Sequence, residues 1–236
     1  MPRLLSPVLF ASILVAAAAG RQHGLPQASA SPRPEPSGWA AEVDHPLLPL
    51  RPGSTYVYTT RPSAEGMDSV TVTHETKVIL GITATAVRDR TFHKGALAEE
   101  SVDWYAQDRD GNVWYLGEDT KEWRDGKVVS TAGSWEAGKN GAQPGIMMKV
   151  RPRVGDTYRE ERRRGVAEDM ARVLSLDEEV TVPSGKFQHC LMTEEWSPLD
   201  PGVREHKYYA PGVGLVLDRT VAGGNEEWSL VRVVEP

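Results

Sequence analysis

An acidic turn near the middle of the chain carries the residue types that bind a hard cation. Asp108, Asp110 and Asn112 follow the Asp-x-Asp-Gly-Asn spacing that directs oxygen atoms toward calcium, and Glu118 lies further along the same segment. A complete calcium loop has a glutamate at the position that Gly117 occupies here. This difference favours a plain hairpin turn, and a calcium site formed by Asp108, Asp110, Asn112 and Glu118 is the alternative. No other cofactor is indicated.

Aromatic side chains of the same region are the candidate ligand-binding residues. Trp104, Trp114 and Tyr115 lie in short segments that resemble β-strands. Neighbouring side chains on a strand point to opposite faces of the sheet, so the rings of Trp114 and Tyr115 must lie on opposite faces. In a curved sheet we expect some of the three rings to line a concave surface open to a ligand, and core packing accounts for the others.

Other chemistries receive little support, and no catalytic residue is assigned. Residues 133–140 copy the spacing of a phosphate-binding loop as far as Lys139, but Asn140 stands where Ser or Thr would hold magnesium. The 6 histidines show no local metal-ligand spacing, and no Gly-x-Ser-x-Gly elbow occurs. Glycoside hydrolysis needs two carboxyl groups that face each other across a sugar. Adjacent acids such as Glu194 and Glu195 point to opposite faces of a strand, so we expect them to mark solvated strand ends.

Two smaller features complete the set of reactive groups. Arg162, Arg163 and Arg164 directly follow two acidic residues, 160 and 161, and we expect these charges to balance at a solvated edge. Cys190 is the 1 cysteine of the chain, so it cannot close an intrachain disulfide. A buried thiol is favoured there, with an intermolecular disulfide as the alternative.

Composition limits the classes of partner. The 236 residues are 25% charged and 39% hydrophobic, which is typical of a soluble globular chain. A formal net charge of -6 removes the basic surface that nucleic-acid binding requires. We therefore expect neither nucleic acid nor a nucleotide as a partner.

The first residues have the pattern of an export signal. Residues 1–20 contain Arg3, an apolar stretch and small residues at the exit, which predicts a cleaved signal peptide, with cleavage as late as residue 30. Residues 21–46 are rich in Pro, Ala and Ser and predict a disordered linker. The expected location is outside the cytoplasm, either periplasmic or extracellular.

The rest of the chain, residues 47–236, predicts a single all-β, mainly antiparallel domain. Val, Thr, Tyr and Trp recur with a period of two between turn residues. Asp110-Gly111 and Asp125-Gly126 each separate two such segments, and Asp-Gly is a favoured hairpin turn. Residues 167–174 also permit a helix, but β-branched neighbours favour a strand.

The two halves of this domain resemble each other. Residues 51–56 match residues 153–158, and the order of further matches is kept between about 47–149 and 150–236. We predict two similar meanders that form a curved sheet, a half-barrel or a sandwich. The alternative is that β-rich sequences share the same turn residues.

Two stretches carry a resemblance to known sequences. Residues 103–120, with the pattern DWYAQDxDGNVWYxGEDT, and residues 205–216, EHKYYAPGVGLV, resemble signatures of a widespread set of uncharacterised bacterial secreted proteins. The resemblance covers about residues 45–236. Residues 209–216 are also similar to a segment of lipoprotein-carrier-like periplasmic half-barrel proteins. This implies a fold and an export route, and no catalytic residues come with it.

Three functional hypotheses follow. The first is an exported, non-enzymatic β-domain that binds a small apolar or amphiphilic ligand or an envelope component. The second is a structural or interaction module that calcium stabilises. The third is a hydrolase, which requires titratable groups that converge in a cleft.

Overall fold

A computed structural model describes residues 38–40 and 42–236, and in this part of the chain every regular element is a β-strand. The strands are β1 (Val43–His45), β2 (Leu48–Leu50), β3 (Thr55–Arg61), β4 (Gly66–Ile79), β5 (Ile82–His93), β6 (Ala96–Gln107), β7 (Val113–Arg124), β8 (Lys127–Ser130), β9 (Trp135–Glu136), β10 (Gly145–Met148), β11 (Thr157–Arg159), β12 (Met170–Val182), β13 (Gly185–Ser197), β14 (Asp200–Ala210), β15 (Gly214–Ala222) and β16 (Glu227–Val234). The expected signal peptide and most of the expected linker lie outside the described residues. The described residues include no helix long and apolar enough to cross a membrane.

Strands β3 to β16 form one large curved, open antiparallel sheet, and β1 and β2 form a separate two-stranded sheet, which confirms the all-β prediction. The order across the sheet is β10-β7-β6-β5-β4-β3-β16-β15-β14-β13-β12-β11, with β8 and β9 paired to β7. Its two ends, β10 and β11, lie against each other, yet no β-ladder between them occurs in the described residues. We call this junction the seam.

Turn residues set the positions of the hairpins. Asp125 and Gly126 have φ angles of 51° and 71° between β7 and β8, as a two-residue hairpin turn with positive φ at both positions requires. Residues 170–182 form strand β12, so the strand interpretation of this region is correct. A helix there would have moved its apolar residues out of the sheet's period of two.

Strands β3 to β7 and β11 to β15 follow the same order in the two halves. The first strand of each series begins at Thr55 and Thr157, and the last at Val113 and Gly214, which is a spacing of about 100 residues. An internal duplication would produce this arrangement. The duplication itself stays a prediction.

The N-terminal hairpin of β1 and β2 packs against the curved sheet, with β1 beside β6 and β2 beside β15. Val43, Leu48 and Leu50 are buried in the core. Backbone hydrogen bonds fix the hairpin, because Gly212 N donates to Pro46 O over 2.7 Å. Strand β1 lies inside the range 21–46 that the sequence assigned to a linker, so ordered chain begins before residue 47. The apolar side chains explain this, since the domain buries them.

Several strands are buried on both faces. All residues of β7 from Val113 to Glu118 are buried, as are residues 214–218 of β15. At the tip of the β4–β5 hairpin, the buried side chains of Ile79 and Ile82 cover part of the outer face of the sheet. The inner face of the sheet is therefore a closed layer, and its composition decides what chemistry the domain supports.

Candidate functional site

The three candidate ligand-binding aromatics are packed inside the domain. The ammonium group of Lys77 lies 3.4 Å from the ring centroid of Trp104. The Trp114 ring meets the Trp39 ring edge-on, with centroids 6.2 Å apart. Tyr115 is stacked on the neighbouring Tyr105 ring at 4.8 Å. All three side chains are less than about a tenth exposed, so they do not line an open concave surface.

The acidic turn is held by its own hydrogen bonds. Asp108 accepts hydrogen bonds from the backbone and side-chain nitrogens of Asn112, both at 2.9 Å, and from Trp114 Nε1 at 2.8 Å. Asn112 Oδ1 accepts a hydrogen bond from Val150 N. These oxygens point at N–H donors, as expected for a hairpin turn that is braced by side chains.

Glu118 does not join this turn. It lies six residues beyond Asn112, or about 20 Å along an extended strand, and it is buried, where it accepts a hydrogen bond from Thr120 Oγ1 at 2.8 Å. Asp110 lies exposed at the tip of the turn. In residues 38–40 and 42–236, no group of three or more His, Cys, Asp or Glu is arranged to hold a metal ion.

A layer of carboxyl groups occupies the inner face of the sheet, and sequence reasoning missed it. Its members are less than about a tenth exposed, and strands β4 to β7 and β13 to β15 each contribute at least one. They are Asp68, Asp89, Asp103, Glu118, Glu160, Glu161, Glu195, Glu205 and Asp218, together with Lys207. The sequence does indicate this layer through polar residues two positions apart, such as Glu205 and Lys207, which lie on the same face of a strand. Adjacent acidic residues lie on opposite faces and do not indicate it.

In the first half of the domain, buried carboxyl groups face each other without a cation. Burial raises the pKa of Asp68 to about 6, and the pKa of Asp89 rises well above its ordinary value through burial and the neighbouring Asp68. Asp103 accepts hydrogen bonds from Tyr115 Oη at 2.7 Å and Ser101 Oγ at 2.8 Å. Burial still raises the pKa of Asp103 to about 7. These groups are stable when they hold protons.

The second half contains the one buried lysine. Lys207 Nζ lies 2.7 Å from Glu195 Oε2, and both side chains are almost fully buried. Burial acts to lower the pKa of Lys207, but Glu195, Asp218 and Glu205 outweigh it and hold that pKa well above the ordinary value. The Glu195 carboxylate also accepts hydrogen bonds from Thr193 and Tyr209. This is an ion pair with its remaining oxygen sites satisfied.

The carboxyl layer lies in a closed interior. The larger of two cavities beside the N-terminal hairpin has a volume of about 40 Å³ and is lined by Pro49, Arg51, Tyr56 and Val213 among others. Such a space accommodates a few water molecules, whereas ligand pockets measure several hundred Å³. These carboxyl groups face each other and are less than about a tenth exposed.

A run of basic residues lies at the seam, in the segment that connects β10 with β11 and continues past β11. Residues 149–164, which we call the basic segment, contain 7 Lys and Arg and 3 acidic residues. Lys149 forms an ion pair with Asp156 at 3.1 Å. Among the described residues, no ion pair is formed by any of the arginines at 151, 153, 159, 162, 163 and 164.

The two glutamates of this segment do not balance the arginines that follow them. Glu160 is 5% exposed and Glu161 is 2% exposed, and burial raises the pKa of both well above the ordinary value. Glu161 Oε1 accepts a hydrogen bond from Trp135 Nε1 inside the domain. The expected balance at a solvated edge is therefore wrong. Strand β11 ends at Arg159, and beyond it adjacent residues no longer alternate between faces.

The arginines of the basic segment remain at the surface. Arg151, Arg153 and Arg164 are exposed, and Arg159 and Arg162 are half-buried. Burial and the positive charge of Arg159 lower the pKa of Arg162. The segment is a concentrated positive surface on a protein whose formal net charge is -6.

Comparisons with known proteins give a limited result. No known protein family and no curated protein matches the chain. Two solved structures are similar: a Bacteroides fragilis protein, provisionally described as exported with a YmcC-like fold (13% identity, TM-score 0.47), and a Parabacteroides distasonis protein, provisionally described as a lipoprotein (12% identity, TM-score 0.45). Each comparison covers 80% of this chain and 98% of the other. Likenesses of this strength assign neither a function nor a location to this chain.

Proposed function

We propose that the protein is an exported, non-catalytic β-domain that binds an anionic component of the cell envelope through its basic segment. The observation that carries this proposal is the burial of Glu160 and Glu161, which removes the acids that would otherwise neutralise Arg162 to Arg164. Export is supported by the signal-peptide pattern of residues 1–20.

The charge distribution supports an orienting role for this surface. A protein with net negative charge is repelled by a polyanion as a whole, so only a local positive region makes approach favourable. Arginine also binds phosphate and carboxylate groups with two parallel hydrogen bonds. Three exposed arginines, Arg151, Arg153 and Arg164, have no carboxylate partner within the described residues and keep this capacity free.

The geometry favours this function over the small-ligand and hydrolase hypotheses. Trp104, Trp114 and Tyr115 are enclosed by other side chains, and the inner carboxyl groups are covered by the sheet. Binding a small apolar molecule there would require the core to open. Binding an anion at the basic segment requires no rearrangement of the sheet.

Retention on a dextran sulfate resin tests the proposal directly. The triple variant Arg151→Gln/Arg153→Gln/Arg164→Gln should elute at clearly lower salt concentration than the wild-type protein. Fewer arginines then contact the sulfate groups of the resin, so less salt is needed to screen the attraction. The control variant Arg61→Gln/Lys94→Gln/Arg124→Gln removes the same charge from exposed positions outside the basic segment and should elute close to the wild type. Equal elution of the two variants would mean that net charge alone matters, and the proposed site would be lost.

A further inference from the structure

We infer that the anionic component is the surface of a phospholipid bilayer, with residues 149–156 as the part of the basic segment that enters it. This inference rests on the proposed function and names its binding partner. It comes from the apolar residues that alternate with the arginines of this loop.

Two valines of the loop are exposed beside two exposed arginines. Val150 is 40% exposed and Val154 is 64% exposed, and they flank Arg151 and Arg153 in the sequence Val-Arg-Pro-Arg-Val. A polyanionic glycan gains nothing from exposed valines. A bilayer interface accepts the apolar side chains below its headgroups while arginine contacts the phosphates.

Hydrogen bonds at both ends hold this loop on the domain. Lys149 O lies 3.2 Å from His45 Nε2, and Val150 N donates to Asn112 Oδ1 over 3.0 Å. At the other side, Gly155 N donates to Val173 O over 2.9 Å. The loop is therefore held to the domain at both ends.

The turn within the loop is also fixed, which lowers the entropic cost of binding. Asp156 Oδ2 accepts a hydrogen bond from Arg153 N at 3.0 Å, and Asp156 N donates to Arg153 O over 2.9 Å. The same carboxylate pairs with Lys149. Asp156 thus pairs with Lys149 at the base of the loop and also lies within reach of the charge of Arg153, whereas Arg151 forms no ion pair within the described residues. Such preorganisation strengthens binding without further contacts.

The charges outside the loop place the rest of the domain away from the membrane. The remaining chain carries the excess of acidic residues that gives the net charge of -6, and anionic lipids repel it. Arg159, Arg162 and Arg164 continue the positive surface along the seam. We therefore expect the loop to contact the bilayer first and the arginines along the seam to contact it second.

The experiment measures binding to vesicles of phosphatidylcholine alone and of phosphatidylcholine mixed in equal parts with phosphatidylglycerol. The protein is purified after export, and its N-terminus is determined by intact mass. We expect binding to the mixed vesicles only, with loss at high salt. The Arg151→Gln/Arg153→Gln/Arg164→Gln variant should lose about a hundredfold in affinity, since each basic residue near the surface contributes about fivefold.

The Val150→Ser/Val154→Ser variant separates lipid insertion from charge attraction. It keeps every arginine, so it should bind dextran sulfate as the wild type does and lose about tenfold in affinity for the mixed vesicles. Unchanged vesicle binding by this variant would overturn the inference. If the wild-type protein binds dextran sulfate but neither type of vesicle, the membrane inference is overturned and the proposed function stands. If it binds neither dextran sulfate nor vesicles, the inference and the proposed function are both overturned.

Discussion

Lys207 and Glu195 form an ion pair inside the curved sheet, with Nζ 2.7 Å from Oε2 and side-chain exposures of 1% and 6%. They lie on adjacent strands, β14 and β13, and point to the same inner face because Lys207 is opposite Thr193, two residues from Glu195. Removing two charges from water is costly, so the pair is stable only because the two groups meet each other and the Glu195 carboxylate also accepts hydrogen bonds from Thr193 and Tyr209.

Replacing Lys207 should destabilise the protein strongly. In Lys207→Met the Glu195 carboxylate loses its cation, and we expect a loss of about 3–5 kcal/mol in the free energy of unfolding. The double variant Lys207→Met/Glu195→Gln should recover a large part of this loss, since it removes the unpaired charge. Urea denaturation measures both. The exposed pair of Lys186 and Glu179 is the control, and Lys186→Met should have little effect.

The carboxyl layer should make the protein more stable in mild acid than in mild alkali. Burial raises the folded-state pKa of Asp68 to about 6 and of Asp103 and Glu205 to about 7. In the unfolded chain these groups titrate near pH 4, so the folded state binds more protons between about pH 4 and 7. The stabilisation is full below about pH 4 and is lost as the pH rises through about 7.

Urea unfolding at a series of pH values across this window measures the slope. The Asp103→Asn variant should show a smaller decrease between about pH 4 and 7, because it removes one group that releases its proton. Asp110→Asn, at an exposed turn, should leave the slope unchanged. A free energy of unfolding that rises with pH over this window would contradict protonation of the layer.

Local sequence signals predicted the strands and several turns well. Residues 170–182 form a strand, as the β-branched residues of this region favour, and the turn at Asp125 and Gly126 has the required positive φ values. Alternation of apolar and polar residues and Asp-Gly pairs are local properties, which act within a few residues along the chain. These signals account for the hairpins, whereas the pairing of β3 with β16, which joins the two halves into one sheet, brings together strands that are distant in the chain.

The site depended on contacts between distant residues, and local patterns do not contain these. Glu161 is buried because Trp135 and the seam cover it, and nothing in the sequence near residue 161 shows this cover. Trp104 is enclosed by Lys77, which comes from another hairpin. The sequence shows polar residues at every second position of β14, Glu205 and Lys207. Such a pattern usually predicts a polar face that is exposed to water, whereas here this face is buried.

Calcium should not change the stability of the domain. Both carboxylate oxygens of Asp108 already accept hydrogen bonds from Asn112 and Trp114. Asp108→Ala should lower the free energy of unfolding by about 1–3 kcal/mol through the loss of these bonds, to the same extent in calcium and in chelator. A thermal midpoint that rises with calcium in the wild type and not in the variant would instead establish the calcium site.

The contact between the two ends of the sheet should depend on a glycine. A Cβ added at Gly145, on β10, would overlap the carbonyl oxygen of Glu160, which is backbone and cannot rotate away. Gln143 N donates to Arg162 O over 3.2 Å at the same junction, so separation of the strands would also break this bond. Overpacking of this kind costs about 1–3 kcal/mol or more.

Gly145→Ala should therefore lower the thermal midpoint by roughly 5 °C or more, as expected for a domain of this size. Gly202→Ala is the matched control, because Gly202 is also a strand glycine without positive φ and its nearest neighbour would be 3.8 Å from the new Cβ. Opening of the seam would expose Glu160 and Glu161 beside the arginines and reduce the positive charge of the basic segment. Gly145→Ala should then also elute earlier from dextran sulfate than Gly202→Ala, and an equal midpoint for both variants would show that the seam is not close-packed.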